Sequence, residues 1–269
     1  MNLLVAGLIV LGGAVVAGLA LALVHHVAKK SLLADSGRGR PMIQVTGTMF
    51  AVVLAFVILA AFQTYNGARG GAQSEAAAVL DMSRAAALYP PGQRDQLRSD
   101  FVCYGRAVAE QEWPAMAHGH SSPLVDRWIN SYRAVFARLD LSSPRQQLTF
   151  QELLNQAATR TAGRQQRLAE DTGSVPTPLW LALVFAGCVA IALQLSMADP
   201  REKVGIQSVP VAGFAGVVVA GLLIVNFLDH PYQRHTGGIQ PTAMRQTLVM
   251  IRTLQPGLRV GCSPSGEPL

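Results

Sequence analysis

Four apolar runs separated by polar stretches dominate the sequence. They cover about residues 3–24, 42–63, 178–197 and 204–228, and none contains Asp, Glu, Lys or Arg. Each is close to the ~20 residues that a helix needs to cross the hydrocarbon core of a bilayer. The pattern predicts four transmembrane helices. The first run lacks the positively charged start of a secretory signal, which favours a retained helix over a cleaved leader.

The second run carries two stripes at four-residue spacing. One is small, at Gly47, Ala51 and Ala55, and the other is bulky, at Phe50, Leu54, Ile58 and Phe62. Small residues let another helix approach closely in lipid. The bulky stripe either faces lipid or the protein core, or lines a dry constriction of a pore. The sequence alone leaves both interpretations open.

Residues 66–175 hold most of the acids and have apolar positions at helical spacing. We predict helices over Ala72–Leu88 and Gln93–Met116, and two more that start at Ser122-Pro123 and Ser143-Pro144, where proline suits the first helical position. Amphipathic helices need a shared core, so we expect an extramembrane helical bundle. The predicted fold is an all-α integral membrane protein with this bundle inserted between the second and third transmembrane helices.

The predicted division of the chain is therefore into four parts. Residues 1–65 hold the first two membrane helices, 66–175 the bundle, and 176–228 the third and fourth membrane helices. Residues 229–269 form a loop, a short amphipathic helix at Pro241–Leu254 and a Gly/Pro/Ser-rich tail. We expect the tail to be poorly ordered.

Composition narrows the classes of protein. Only 14% of residues are charged, against about 25% in an average soluble domain, so the lipid bilayer is the expected partner. The net charge of +6 comes from scattered basic residues without a nucleic-acid-binding motif. The sequence contains no enzyme signature, so we expect that the protein is not an enzyme and has no cofactor. His118, His120, His230 and His235 lack a carboxylate or cysteine to complete a metal site, so we expect solvated loops and no metal.

The cysteines and the charges of the short loops bear on which side of the membrane each segment lies. Cys188 lies in an apolar run, whereas Cys103 and Cys262 pair only if both face an oxidising compartment. The most basic short loop, with Lys29, Lys30, Arg38 and Arg40 against Asp35, predicts a cytoplasmic linker, as do Arg201 and Lys203 in the second loop. The bundle then lies on the non-cytoplasmic side; the opposite orientation remains the alternative.

Several local sequences carry a family resemblance over nearly the whole chain. They are Glu75-Ala76, Tyr104, Glu112-Trp113-Pro114, then Arg160, Arg164 and Arg167, Pro178-Leu179-Trp180, Asp229-His230-Pro231-Tyr232 and Gly237. With this layout the chain resembles a family of bacterial membrane proteins, without an assigned function, described as bestrophin-like. Glu-Trp-Pro and Asp-x-Pro-aromatic are the more specific elements.

The resemblance implies a multi-pass protein of the bacterial plasma membrane. Bestrophins are pentameric anion channels with four membrane helices per subunit and a pore lined by the second. They keep the region between the second and third helices in the cytosol, whereas the linker charges here place it outside. Fold does not fix function, so we carry over no channel residue from the family.

The three arginines before the third membrane run allow two interpretations. Arg160, Arg164 and Arg167 share one helix face, so they form either a basic ring at a pore mouth or ion pairs with Glu75, Glu112 or Asp100. Two hypotheses for the function of the protein follow. The first is a homo-oligomeric anion channel lined by the second helix, with inorganic anions as partners. The second is a non-conducting scaffold or sensor whose bundle binds a protein or envelope ligand.

Overall fold

Helices account for almost all regular structure in the computed structural model, which describes residues 2–27, 39–169, 173, 175–196, 203–232 and 237–269. The helices are α1 (Leu3–Val27), α2 (Gly39–Ala86), α3 (Pro91–Ala107), α4 (Trp113–Met116), α5 (Pro123–Phe136), α6 (Pro144–Ala169), α7 (Thr177–Ser196), α8 (Val204–Asp229) and α9 (Thr242–Leu254). A π-helix at Val108–Glu112 joins α3 to α4. Within these ranges the only β-bridge joins Cys262 to Pro268. The all-α prediction is confirmed.

Four of these helices, α1, α2, α7 and α8, are long and apolar enough to cross a membrane. The prediction of four membrane helices is confirmed. The orientation argument, however, rests on residues whose placement is outside the described part of the chain: Lys29, Lys30, Asp35, Arg38, Arg201 and the side chain of Arg40. The same holds for His235.

Contacts divide the chain into two compact units. The membrane unit comprises Met1–Thr64 and Gly173–His230, and the head unit comprises Tyr65–Thr172 and Pro231–Leu269. The sequence analysis set residues 229–269 apart as a separate segment, and of these residues 231–269 belong to the head unit.

The bulky stripe of α2 divides between buried and exposed residues in the membrane unit. Phe50 and Leu54 are buried in a cluster with Leu183 of α7 and Val218 of α8. Ile58 is half-buried, and Phe62 is exposed. The first two side chains pack inside their own subunit, as in the core-facing interpretation.

Helix α2 differs from the sequence prediction because it does not break after the second apolar run. It is one helix of 48 residues, about 72 Å long at 1.5 Å per residue, where the sequence predicted separate helices at 42–63 and Ala72–Leu88. The helix runs through Gly67, Gly70 and Gly71, although each glycine costs a helix about 1 kcal/mol relative to alanine.

The C-terminal tail also differs from its prediction, because it is docked on the head unit. Cys262 forms a disulfide with Cys103 of α3. The Arg106 guanidinium donates to the carbonyl oxygens of Cys262 at 2.8 Å and Ser263 at 3.0 Å. The indole of Trp128 donates to the carbonyl oxygen of Gly266 at 2.7 Å. The expectation of a poorly ordered tail was wrong, since it considered only local composition.

Candidate functional site

Arg167 of α6 is the centre of a buried charge cluster in the head unit. Its Nε donates to Glu75 Oε2 at 2.7 Å and its Nη2 to Glu75 Oε1 at 3.1 Å. Nη2 also donates to Glu112 Oε2. Its guanidinium carbon lies 5.0 Å from the centre of the Trp113 ring. Arg167, Glu75 and Glu112 are all buried, so α2, the π-helix and α6 are joined through one arginine.

Arg164, one turn nearer the start of α6, joins the same cluster from its edge. Its Nη2 donates to Glu112 Oε1 at 2.6 Å, and its Nη1 forms an ion pair with Asp126 of α5. Its side chain is 12% exposed, whereas that of Asp126 is 56% exposed. For Arg164 and Arg167 the structure therefore shows the ion-pair arrangement that the sequence had left open.

Arg160 is brought to the same region but bonds differently. It is 1% exposed, its Nη2 donates to Thr161 Oγ1 at 2.9 Å, and its guanidinium carbon lies 5.3 Å from the centre of the Tyr104 ring. No ion pair joins it to a carboxylate within the described residues. The third predicted partner, Asp100, instead accepts a hydrogen bond from Ser131 Oγ at 2.8 Å.

Burial and neighbouring charges shift the pKa values of Glu112 and Tyr104 in opposite directions. Burial alone would raise the pKa of Glu112, but Arg167 and Arg164 outweigh it and hold the pKa below its usual value. Burial, followed by the neighbouring Glu75, raises the pKa of Tyr104 well above its usual value, so its hydroxyl donates to Glu75 Oε1. Burial raises the pKa of Asp100 to about 6. Glu112 is therefore ionised at neutral pH, and Tyr104 is a neutral donor.

Two glycines determine how closely α2 and α6 approach at the cluster. A methyl group on Gly163 would lie 2.7 Å from the backbone nitrogen of Glu75 and 2.7 Å from the carbonyl oxygen of Gly71. Residues four apart lie on the same face of a helix. Gly71 stands four residues before Glu75, and Gly163 stands four residues before Arg167. The backbones touch, and the paired side chains meet one turn further along each helix.

The π-helix places Glu112 in the same cluster. The backbone N–H of Trp113 bonds to the carbonyl oxygen of Val108, five residues earlier, and the following Pro114 has no N–H to continue the α-helical pattern. Such single π turns occur often at functional sites. Here the turn directs Glu112 toward α6.

The other family-like residues form two small contact groups. In the head unit, Trp113 and Tyr232 make an edge-to-face ring contact with 5.5 Å between centres, and the Trp113 indole donates to the carbonyl oxygen of Ile239 at 3.0 Å. In the membrane unit, Asp229 accepts bonds from the backbone N–H of Val175 at 2.9 Å and from the Trp180 indole at 3.4 Å. Pro231 is buried, and its carbonyl oxygen accepts from the N–H of Ile239 at 2.8 Å.

Sequence reasoning did not assign Tyr104, Asp126, Gly71 or Gly163 to the cluster, although Tyr104 carries part of the family resemblance. The glycines had a usable signal, because each stands four residues before a charged residue that was predicted. In the described part of the chain, no group of three or more His, Cys, Asp or Glu side chains is placed to hold a metal ion.

The fold and the buried cluster define a four-helix membrane protein with a helical head, and comparisons assign its family. A family model described as the bestrophin-like domain matches residues 4–244. The chain belongs to the bestrophin-like family. A search of curated protein sequences finds no match.

Solved structures share the fold at low sequence identity. One variant of a bacterial bestrophin homologue from Klebsiella pneumoniae matches with a TM-score of 0.67 and 13% identity, over 94% of this chain and 98% of the other. A second variant gives 0.70 and 12%, over 91% and 97%. A structure described only as a membrane protein gives 0.65 and 14%, over 99% of both chains. At this identity the likeness shows the fold alone.

Proposed function

We propose that this chain is one subunit of a homo-oligomeric channel in the bacterial plasma membrane that conducts inorganic anions. The observation that carries the proposal is the match to bestrophin homologues along nearly the whole chain. A non-conducting scaffold or sensor is the alternative that the experiment below distinguishes from a channel.

Helix α2 lines the pore in this proposal, through the part of its surface that its own subunit leaves uncovered. Of the four residues predicted from the sequence, Phe50 and Leu54 are buried by α7 and α8, while Phe62 is 48% exposed. Phe56 on the same helix is 67% exposed. Apolar side chains of this size close pores by excluding water, so Phe56 and Phe62 are the residues to test.

We expect the purified protein to form a ring-shaped oligomer and to carry anion current in planar bilayers. Replacing a constricting phenylalanine widens the dry segment, so Phe56→Ala or Phe62→Ala should change the single-channel conductance several-fold. Phe185→Ala is the matched control, because Phe185 is 72% exposed on α7 and should leave the conductance unchanged. A monomer, or a silent reconstituted ring, would contradict the proposal and favour the scaffold or sensor.

The head unit is proposed to lie on the non-cytoplasmic side, as the basic linker predicted. The disulfide between Cys103 and Cys262 supports this orientation, because structural disulfides persist in oxidising compartments and are rare in the cytosol.

Alkylation of thiols in spheroplasts tests the orientation. In a Cys188→Ala protein, the remaining cysteines are Cys103 and Cys262. We expect a membrane-impermeant maleimide to label them in intact spheroplasts only after an impermeant reductant has opened the disulfide. Labelling that requires lysis would place the head unit in the cytosol.

A further inference from the structure

Three arginines of the charge cluster share two bonded carboxylates. Arg160 and Arg167 are at most 1% exposed and the side chain of Arg164 is 12% exposed, and the buried carboxylates bonded within the cluster are Glu75 and Glu112. Asp100 is also buried but accepts its hydrogen bond from Ser131. Both carboxylates bond to Arg167 or Arg164. Burying an unpaired charge is costly, and among the described residues no carboxylate forms an ion pair with Arg160.

Two buried polar atoms at this place make no hydrogen bond of good geometry within the described residues. They are Nε of Arg160 and the hydroxyl oxygen of Tyr132. The Arg160 guanidinium carbon lies 5.8 Å from the centre of the Tyr132 ring. Burial raises the pKa of Tyr132, which keeps its hydroxyl protonated and able to donate. The Tyr132 hydroxyl lies near the Arg160 guanidinium, but a neutral phenol supplies no counter-charge to it.

A cavity of about 340 Å³ lies between α5 and α6 beside Arg160. Its lining includes the donor side chains of Asn130, Arg133, Thr161 and Gln165. The carboxylate in the lining belongs to Asp126, which Arg164 already engages. The cavity therefore presents donors and positive charge, and its volume exceeds the ~30 Å³ of one water molecule about tenfold.

We propose that this cavity binds a small oxyanion, a phosphate-like or carboxylate group, with Arg160 as its principal charged contact. Guanidinium groups match the geometry of carboxylates and phosphates and prefer them as partners. The bound anion supplies the counter-charge that Arg160 lacks. The site is in the head unit and does not depend on conduction, so its test stands apart from the current measurement.

Thermal unfolding of the full-length protein in detergent tests the site, with inorganic phosphate, sulfate and acetate compared against chloride at matched ionic strength. We expect at least one oxyanion at millimolar concentration to raise Tm above its value in chloride. Arg160→Gln should abolish that rise, because it removes the principal charged contact of the oxyanion. If Arg160→Gln does not fold, Arg133→Gln should weaken the apparent affinity about tenfold.

The matched control is Arg127→Gln, because Arg127 is also exposed on α5 but does not line the cavity. It should respond to the oxyanion like the parent protein. Three results would overturn the proposal: no oxyanion raises Tm beyond chloride, Arg127→Gln loses the response as fully as Arg133→Gln, or a map of the oligomer shows a neighbouring subunit's carboxylate in the cavity.

Discussion

Replacing Arg167 by glutamine is expected to destabilise the head unit by about 3–5 kcal/mol, the usual cost of removing one partner from a buried ion pair. Glu75 and Glu112 would lose their shared counter-charge while remaining buried. Such a loss corresponds to a fall in Tm of about 10 °C for a domain of this size. Intrinsic fluorescence of the purified protein, measured at one scan rate, reports the change, since Trp113 lies against the Arg167 guanidinium.

The control for Arg167→Gln is Arg245→Gln, which breaks an exposed ion pair with Glu110 whose side chains are 54% and 44% exposed. Exposed pairs contribute about 0–1 kcal/mol, so Tm should change little.

The loss of stability in Arg167→Gln should also depend on pH. In the variant the pKa of Glu112 rises because Arg167 no longer lowers it, so the penalty is present at pH 7.5 and decreases as pH falls toward 5. An equal deficit at both pH values would contradict an electrostatic cause.

Structural features were predicted correctly from the sequence where their physical cause lies within one segment of the chain. Four uncharged runs of membrane length became α1, α2, α7 and α8, because a bilayer imposes that length and composition on every crossing helix. Ser122-Pro123 and Ser143-Pro144 marked the starts of α5 and α6. The short helix at the C-terminus was predicted within one residue, as α9.

Features that depend on distant residues could not be read from a local pattern. The length of α2 is one example, because Gly71 weakens a helix in isolation but here allows α6 to approach. The tail is another, since Cys262, Arg106 and Gly266 are far apart in sequence from their partners. Among the arginines, periodicity placed all three on one face, yet only the structure separates the paired Arg164 and Arg167 from Arg160.

Gly71→Ala is expected to have the second large effect, because the added methyl group meets backbone atoms. It would lie 2.8 Å from the carbonyl oxygen of Gly163 and 3.1 Å from the backbone nitrogen of Arg167. Neither atom can move without separating α2 from α6, and separation also lengthens the bonds between Glu75 and Arg167. Overpacking usually costs 1–3 kcal/mol, and we expect about 3 kcal/mol, seen as a fall in Tm.

The adjacent glycine provides the control that isolates this contact. A methyl group on Gly70 would meet nothing within 4 Å, so Gly70→Ala should stabilise α2 by up to about 1 kcal/mol through helix propensity alone. Glycine-to-alanine substitutions at two neighbouring positions of one helix are thus predicted to change Tm in opposite directions. Gly163→Ala should resemble Gly71→Ala, because its methyl group would meet the same backbone contact from the other side. If Gly70→Ala and Gly71→Ala shifted Tm equally, close approach of α2 and α6 would not be what positions Glu75 against Arg167.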